Sequence, residues 1–126
     1  MNAEYSKREC KPLYWVASSK KDMMTFPEDV VDVIGFSLQL VQQGETPGNM
    51  TPLKGFKGTG VCEILDDYDT DTYRAVYTVR FPKAVYVLHA FKKKSKQGIK
   101  TPQKEMETIK LRFKCAEEDY KKRYAD

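Results

Sequence analysis

Several things are scarce in this 126-residue chain, and each scarcity removes a class of function. Cysteine occurs three times, at Cys10, Cys62 and Cys115, an odd number with no CxxC pair. Only one histidine, His89, is there to join them, so neither a disulfide framework nor a zinc site is expected and the thiols read as free. No apolar run approaches the roughly 18 residues of a membrane span, and the opening MNAEYSKREC lacks an apolar signal core. The expectation is a cytoplasmic chain without a membrane partner. Gly55, Gly58 and Gly60 do not have the Walker spacing, and the aspartates at 66, 67, 69 and 71 lack the ligand order of a calcium loop. No metal or cofactor is expected.

One further absence is local. Residues 72–104 contain no acidic side chain but nine basic ones: Arg74, Arg80, Lys83, Lys92, Lys93, Lys94, Lys96, Lys100 and Lys104. The whole chain carries +4, so this stretch supplies +9 and the remainder sums to −5. Such asymmetry points to a polyanionic partner.

The length suits a single domain over 1–126, with 1–11 and 118–126 as flexible ends. Leu13 to Val16 form a short β-favouring run, and Lys20-Lys21-Asp22 a solvated link. Thr25-Phe26-Pro27-Glu28 carries the capping-box pattern of a helix start. Apolar residues then recur at Val30, Val33, Ile34, Leu38 and Val41, and Gly44 suits the end of that helix. Residues 45–60, rich in Gly, Pro, Asn and Thr, read as a flexible connection from which Lys54 and Lys57 could reach a polyanion. A strand over 61–65 and an acidic turn over 66–71 follow. After a polar connection over 95–100, Thr101-Pro102 caps a last helix whose stripe is Met106, Ile109, Phe113, Ala116 and Tyr120. The predicted fold is α+β in the order β-α-β-β-β-α, a curved, mainly antiparallel sheet packed against helices.

The strand over 73–81 alternates strictly, with Arg74, Val76, Thr78 and Arg80 on a face that reads as polar. A turn at Phe81-Pro82-Lys83-Ala84 returns the chain along 84–91. If Phe81 faces Ala84, Arg80 opposes Val85, Thr78 opposes Val87, Val76 opposes His89 and Arg74 opposes Phe91. Directly opposed residues share a sheet face, which places Arg74 and His89 as diagonal neighbours with Lys93 beyond them.

An arginine, a histidine and a lysine on one face suit a phosphodiester. Guanidinium grips phosphate oxygens in a planar fork, and positioned cations stabilise the charge that develops on a phosphorane. A histidine among cations is biased towards its neutral form, which can relay a proton. RNA brings its own 2′-hydroxyl nucleophile, so cleavage requires no metal. The same residues also admit a structural histidine, a solvated basic loop, and arginines that answer the aspartates of the preceding turn.

The run YRAVYTVRFPKAVYVLHAFKKKSKQGIKTP, with PLKGFKGTGVCEI before it, resembles the phage-derived, HigB-type toxins of the RelE/ParE superfamily over about residues 12–116. The resemblance implies a toxin of a type II toxin–antitoxin system, a ribosome-dependent mRNA endoribonuclease whose partners are the ribosome, mRNA and a cognate helix-turn-helix antitoxin. By position it implies Arg74 at the scissile phosphate, Lys93 as the basic residue after the last strand and His89 in proton transfer. Lys92, Lys94 and Lys96, with Lys54 and Lys57, are the implied RNA contacts. The chain departs from RelE at Glu63 and Leu65, where RelE has lysines, and offers only Tyr120 and Tyr124 for RelE's C-terminal tyrosine. A gyrase poison of the ParE type and a non-catalytic basic nucleic-acid-binding protein are the alternatives.

Overall fold

The structure, a computed structural model, describes residues 10–94 and 101–125. Its elements are β1 (Leu13–Trp15), α1 (Ser19–Met23), α2 (Glu28–Gln42), β2 (Met50–Pro52), β3 (Val61–Tyr68), β4 (Asp71–Thr78), β5 (Val85–Lys94) and α3 (Gln103–Arg123). The strands form one open sheet in the order β1-β5-β4-β3-β2. Among the described strands, only the β1–β5 pair is parallel. The expected α+β architecture holds, with two additions. Ser19–Met23 is a short helix rather than a solvated link, and Met50–Pro52 is an edge strand within the stretch expected to be a flexible connection. Pro52 is tolerated there because β2 is at the edge, where a missing N–H breaks no inner ladder. Among the described residues, no helix is long and apolar enough to cross a membrane.

The sheet is covered on both faces. Ile34, Leu38 and Val41 of α2 pack with Tyr73, Ala75, Tyr77, Val85 and Val87 on one side. Ile109 and Ala116 of α3 pack with Val76, Tyr86, Leu88 and Phe91 on the other, together with Leu53 and Phe56 from the β2–β3 connection. The face of β4 expected to be polar and solvated is therefore interior: Arg74, Val76 and Thr78 are all buried. Alternation along a strand separates two faces but cannot tell which of them a helix covers. β4 also stops at Thr78, whose hydroxyl accepts from the Arg80 N–H (3.0 Å) and donates to the Thr59 carbonyl (2.9 Å).

The β4–β5 register agrees with expectation only next to the candidate site. Arg74 opposes Phe91 and Val76 opposes His89, but Tyr77 opposes Val87 and Thr78 opposes Tyr86. A bulge after Val76 inserts Leu88 as an extra residue, so the expected Thr78–Val87 and Arg80–Val85 pairs do not form. Its effect is to bring Tyr86, Leu88 and His89 all to the α3 side. On the other edge of β4, the acidic stretch contributes more strand than turn, since β3 continues to Tyr68 and β4 resumes at Asp71.

The helix starts also differ from expectation. Thr25 Oγ1 donates to the Asp22 carbonyl (2.7 Å) at the end of α1, and Pro27 occupies the N-cap of α2. Pro102 likewise takes the N-cap of α3, leaving the Thr101 side chain for another partner. The end of α2 follows its glycine. Gly44 at φ +84° donates to Val41 (2.9 Å) and Glu45 donates to Leu40 (2.9 Å), the two bonds of a Schellman motif. Gly44→Ala is expected to cost about 1–2 kcal/mol, because an L side chain is disfavoured at this φ. A lower thermal melting point without change in the circular-dichroism spectrum would report it.

Candidate active site

The α3 face of the central strands carries Arg74 on β4 and His89 and Lys93 on β5. Arg74 is 2% exposed, and His89 and Lys93 are each 8% exposed. Burying three potential cations is costly unless partners stabilise them. The partners come from elements that no local pattern connects.

Glu63 of β3 is the first. It opposes Val76 and so shares the α3 face, where its Oε1 accepts from Arg74 Nη1 at 3.1 Å. The two side chains are nearly fully buried, 2% exposed for Arg74 and 8% for Glu63. Thr101, just before α3, supplies the second contact, its hydroxyl oxygen accepting from Arg74 Nη1 at 3.3 Å. Arg74 thus answers Glu63 rather than the aspartates of the hairpin turn. Burial pushes the Glu63 carboxyl above its ordinary value, against the opposing pull of Arg74 and Lys93. Burial, and then repulsion from Arg74, push the Lys93 ammonium below its ordinary value, with Glu63 opposing.

This last shift has a measurable sign. In the window between the depressed folded value and the unfolded value of about 10.4, the unfolded chain binds more protons at Lys93. Stability should therefore rise with pH through that window on account of this residue. Lys93→Met should melt at the same temperature as the native chain or a few degrees higher near pH 7. The difference should shrink as pH rises towards 10.4, and differential scanning fluorimetry across pH checks it.

His89 is engaged at both ring nitrogens. Nε2 is 2.6 Å from Glu105 Oε1, and Nδ1 is 3.2 Å from Arg112 Nη1, both on α3. Arginine has no acceptor atom, so Nδ1 accepts and Nε2–H donates to the carboxylate. Arg112 is itself fixed, donating from Nη1 to the Leu88 carbonyl at the bulge (3.0 Å) and from Nη2 to Ser18 Oγ (3.1 Å). Ser18 in turn donates to Asp22 Oδ2 (2.8 Å). The bulge, the first turn of α3 and the β1–α1 connection thus meet around one imidazole, which also stacks on Phe91 at 5.1 Å.

The remaining expected residues are distributed differently. Lys92 and Lys94 alternate with Lys93 and oppose Tyr73 and Asp71, which turns them to the α2 face. Both are exposed, and Lys92 Nζ lies 3.6 Å from Asp71 Oδ2. Lys54 and Lys57 are exposed on the β2–β3 connection, whose Leu53 and Phe56 anchor it on the α3 side. Lys96 lies outside the described residues. Tyr120 and Tyr124 sit at the far end of α3, with Tyr120 fifteen positions or about 22 Å from Glu105 along the helix. There Tyr124 and Tyr14 share a hydroxyl contact at 3.1 Å, and Tyr120 accepts from the Lys83 N–H at 3.2 Å. Neither tyrosine belongs to the site.

Glu63, Thr101, Glu105 and Arg112 are the members that the sequence reading missed. One signal for two of them was available: Glu105, Ile109, Arg112 and Ala116 follow the i, i+4, i+7, i+11 spacing of a single helical stripe, so two charges lie on the face that buries Ile109 and Ala116.

No curated protein matches the chain. Among solved structures it is similar to the RelBE2 toxin–antitoxin complex of Mycobacterium tuberculosis, at 14% identity and a TM-score of 0.47, over 69% of this chain and 95% of that one. The pattern described as "Phage derived protein Gp49-like (DUF891)" matches residues 21–114. That match spans most of the sequence, and the chain belongs to the Gp49-like family of phage-derived proteins.

Proposed function

We propose that this chain is the toxin of a toxin–antitoxin pair and acts as a ribosome-dependent endoribonuclease on mRNA. The observation that carries the reading is the convergence of Arg74, His89 and Lys93 on one sheet face, under the first turn of α3. The resemblance of the YRAVY…HAFKKKSK run to HigB-type toxins supports it independently. In this reading the 2′-hydroxyl of a bound message attacks the adjacent phosphorus, and Lys93 stabilises the charge on the phosphorane oxygens. Arg74 is held by Glu63, so its guanidinium acts on a phosphate when the phosphate takes the place of that carboxylate. The exposed lysines Lys54, Lys57, Lys92 and Lys94, with Lys96, supply the diffuse attraction for RNA. The protein partner is a cognate antitoxin of the helix-turn-helix kind.

The reading is tested by adding the purified chain to a translating extract and to the same message free of ribosomes. Primer extension is expected to show stops within the translated message and none on the free RNA. Equal cleavage in both removes the ribosome dependence, and intact message in both removes the nuclease.

A further inference from the structure

His89 was expected to move the proton in this chemistry, but its surroundings argue otherwise. Its side chain is 10% exposed, and neither ring nitrogen is open to a substrate. Nδ1 is committed to Arg112, and Nε2–H points at Glu105. Glu105 is the more accessible member, 25% exposed, and stands in the first turn of α3. Thr101, four residues earlier and just before α3, touches Arg74. The carboxylate therefore sits between the imidazole and solvent, four residues along the chain from the threonine that touches Arg74.

We propose that Glu105 is the proton acceptor of the site, with His89 and Arg112 as positioning residues behind it. The inference rests on the endoribonuclease reading. A carboxylate has two oxygens, and the hydrogen bond from His89 Nε2–H occupies one while the other stays available to a 2′-hydroxyl. In the step itself the Glu105 carboxylate takes the 2′-hydroxyl proton as the O2′–P bond forms. The P–O5′ bond breaks, the departing 5′ oxygen takes a proton from water, and the products are a 2′,3′-cyclic phosphate and a 5′-hydroxyl. Glu105 then returns its proton to solvent. Arg112 enforces the tautomer: with Nδ1 accepting from a guanidinium, the imidazole presents Nε2–H to the carboxylate and orients it without taking its proton. The arrangement matches the logic by which a third group orients a catalytic base.

Two measurements on the full chain test the assignment. The single histidine makes ring ¹⁵N spectra unambiguous, and the native chain should show a protonated Nε2 and a bare Nδ1. Glu105→Gln retains an acceptor for Nε2–H, so the tautomer and the melting point should hold while ribosome-dependent cleavage falls by about 10²–10⁴-fold, the usual range for a lost general base. Glu105→Asp, which keeps a carboxylate one methylene short, should recover part of that loss. His89→Gln should lose less than Glu105→Gln, since glutamine can still donate to the carboxylate. Native-level cleavage by Glu105→Gln, a larger loss in His89→Gln, or a protonated Nδ1 in the native chain would each overturn the assignment. Absence of cleavage by the native chain, with the Nε2–H tautomer present, would overturn the endoribonuclease reading and this role of Glu105 with it.

Discussion

Replacing Glu63 with alanine is expected to destabilise the fold by about 3–5 kcal/mol, the usual result of stranding one partner of a buried ion pair. Arg74 is 2% exposed beneath α3, and the variant removes the carboxylate that accepts from its guanidinium in a low-dielectric interior. The pair itself contributes much less than this, because both charges were desolvated to form it, as the upward push on the Glu63 carboxyl shows. Two further variants separate these contributions. Arg74→Met should cost somewhat less than Glu63→Ala, since a buried carboxyl can take up a proton whereas a guanidinium cannot lose one. The double variant Glu63→Met with Arg74→Met should recover most of the loss, because a buried pair replaced by apolar groups of similar volume is often neutral. Chemical denaturation of the native chain and these three variants checks this, and a double variant less stable than Glu63→Ala would contradict it.

Lys93→Met is expected to act in the opposite sense on stability and with large effect on chemistry. Stability should hold or rise near neutral pH, because burial and Arg74 both work against the ammonium. Message cleavage should fall by about 10²–10³-fold, the range seen when one positioned charge or donor at a developing anion is removed. A residue whose removal leaves the fold intact and abolishes activity is one kept for function at some cost in stability. Equal loss of stability and activity would instead mark Lys93 as a structural member of the sheet.

The site was partly legible in the sequence, and what was legible follows from what is local. The period-two alternation and the Pro82 turn led to Arg74 beside His89 with Lys93 next along the same face, and the pairing there agrees, although the pairs nearest the turn do not form. The Leu88 bulge was invisible, since an inserted residue changes the register without changing composition; the expected pairing is one residue out beside the turn, and the bulge next to His89 brings it back into agreement at the site. The burial of the face was missed for a related reason. Arg74 and Thr78 look like solvent-facing residues until Glu63, Thr59 and Thr101 are brought to them by strand pairing and by the return of α3. The capping threonines illustrate the same limit. Thr25 lies two positions and Thr101 one position before an N-cap, yet each hydroxyl serves a different contact because a proline takes that cap. Glu105 and Arg112 carried a signal in their stripe, but a helix with charge on every other face made two more charges look ordinary.

These contacts give the basic stretch over 72–104 two distinct roles. Arg74, His89 and Lys93 belong to an interior cluster locked by acids from β3 and α3. Lys92 and Lys94 project from the opposite face at the end of β5. The first group suits chemistry and the second suits attraction, and substitution should separate them. Loss of an exposed lysine is expected to alter salt dependence, whereas loss of an interior cation is expected to alter cleavage.

The most direct measurement is a map of transcript 5′ ends in cells after the chain is induced without its antitoxin, with and without a block on translation. The expected result is a set of new 5′-hydroxyl ends inside translated reading frames, absent when translation is blocked and absent with Lys93→Met. Growth arrest with no new ends, accompanied by a DNA-damage response, would contradict the proposed nuclease and favour a gyrase-directed toxin.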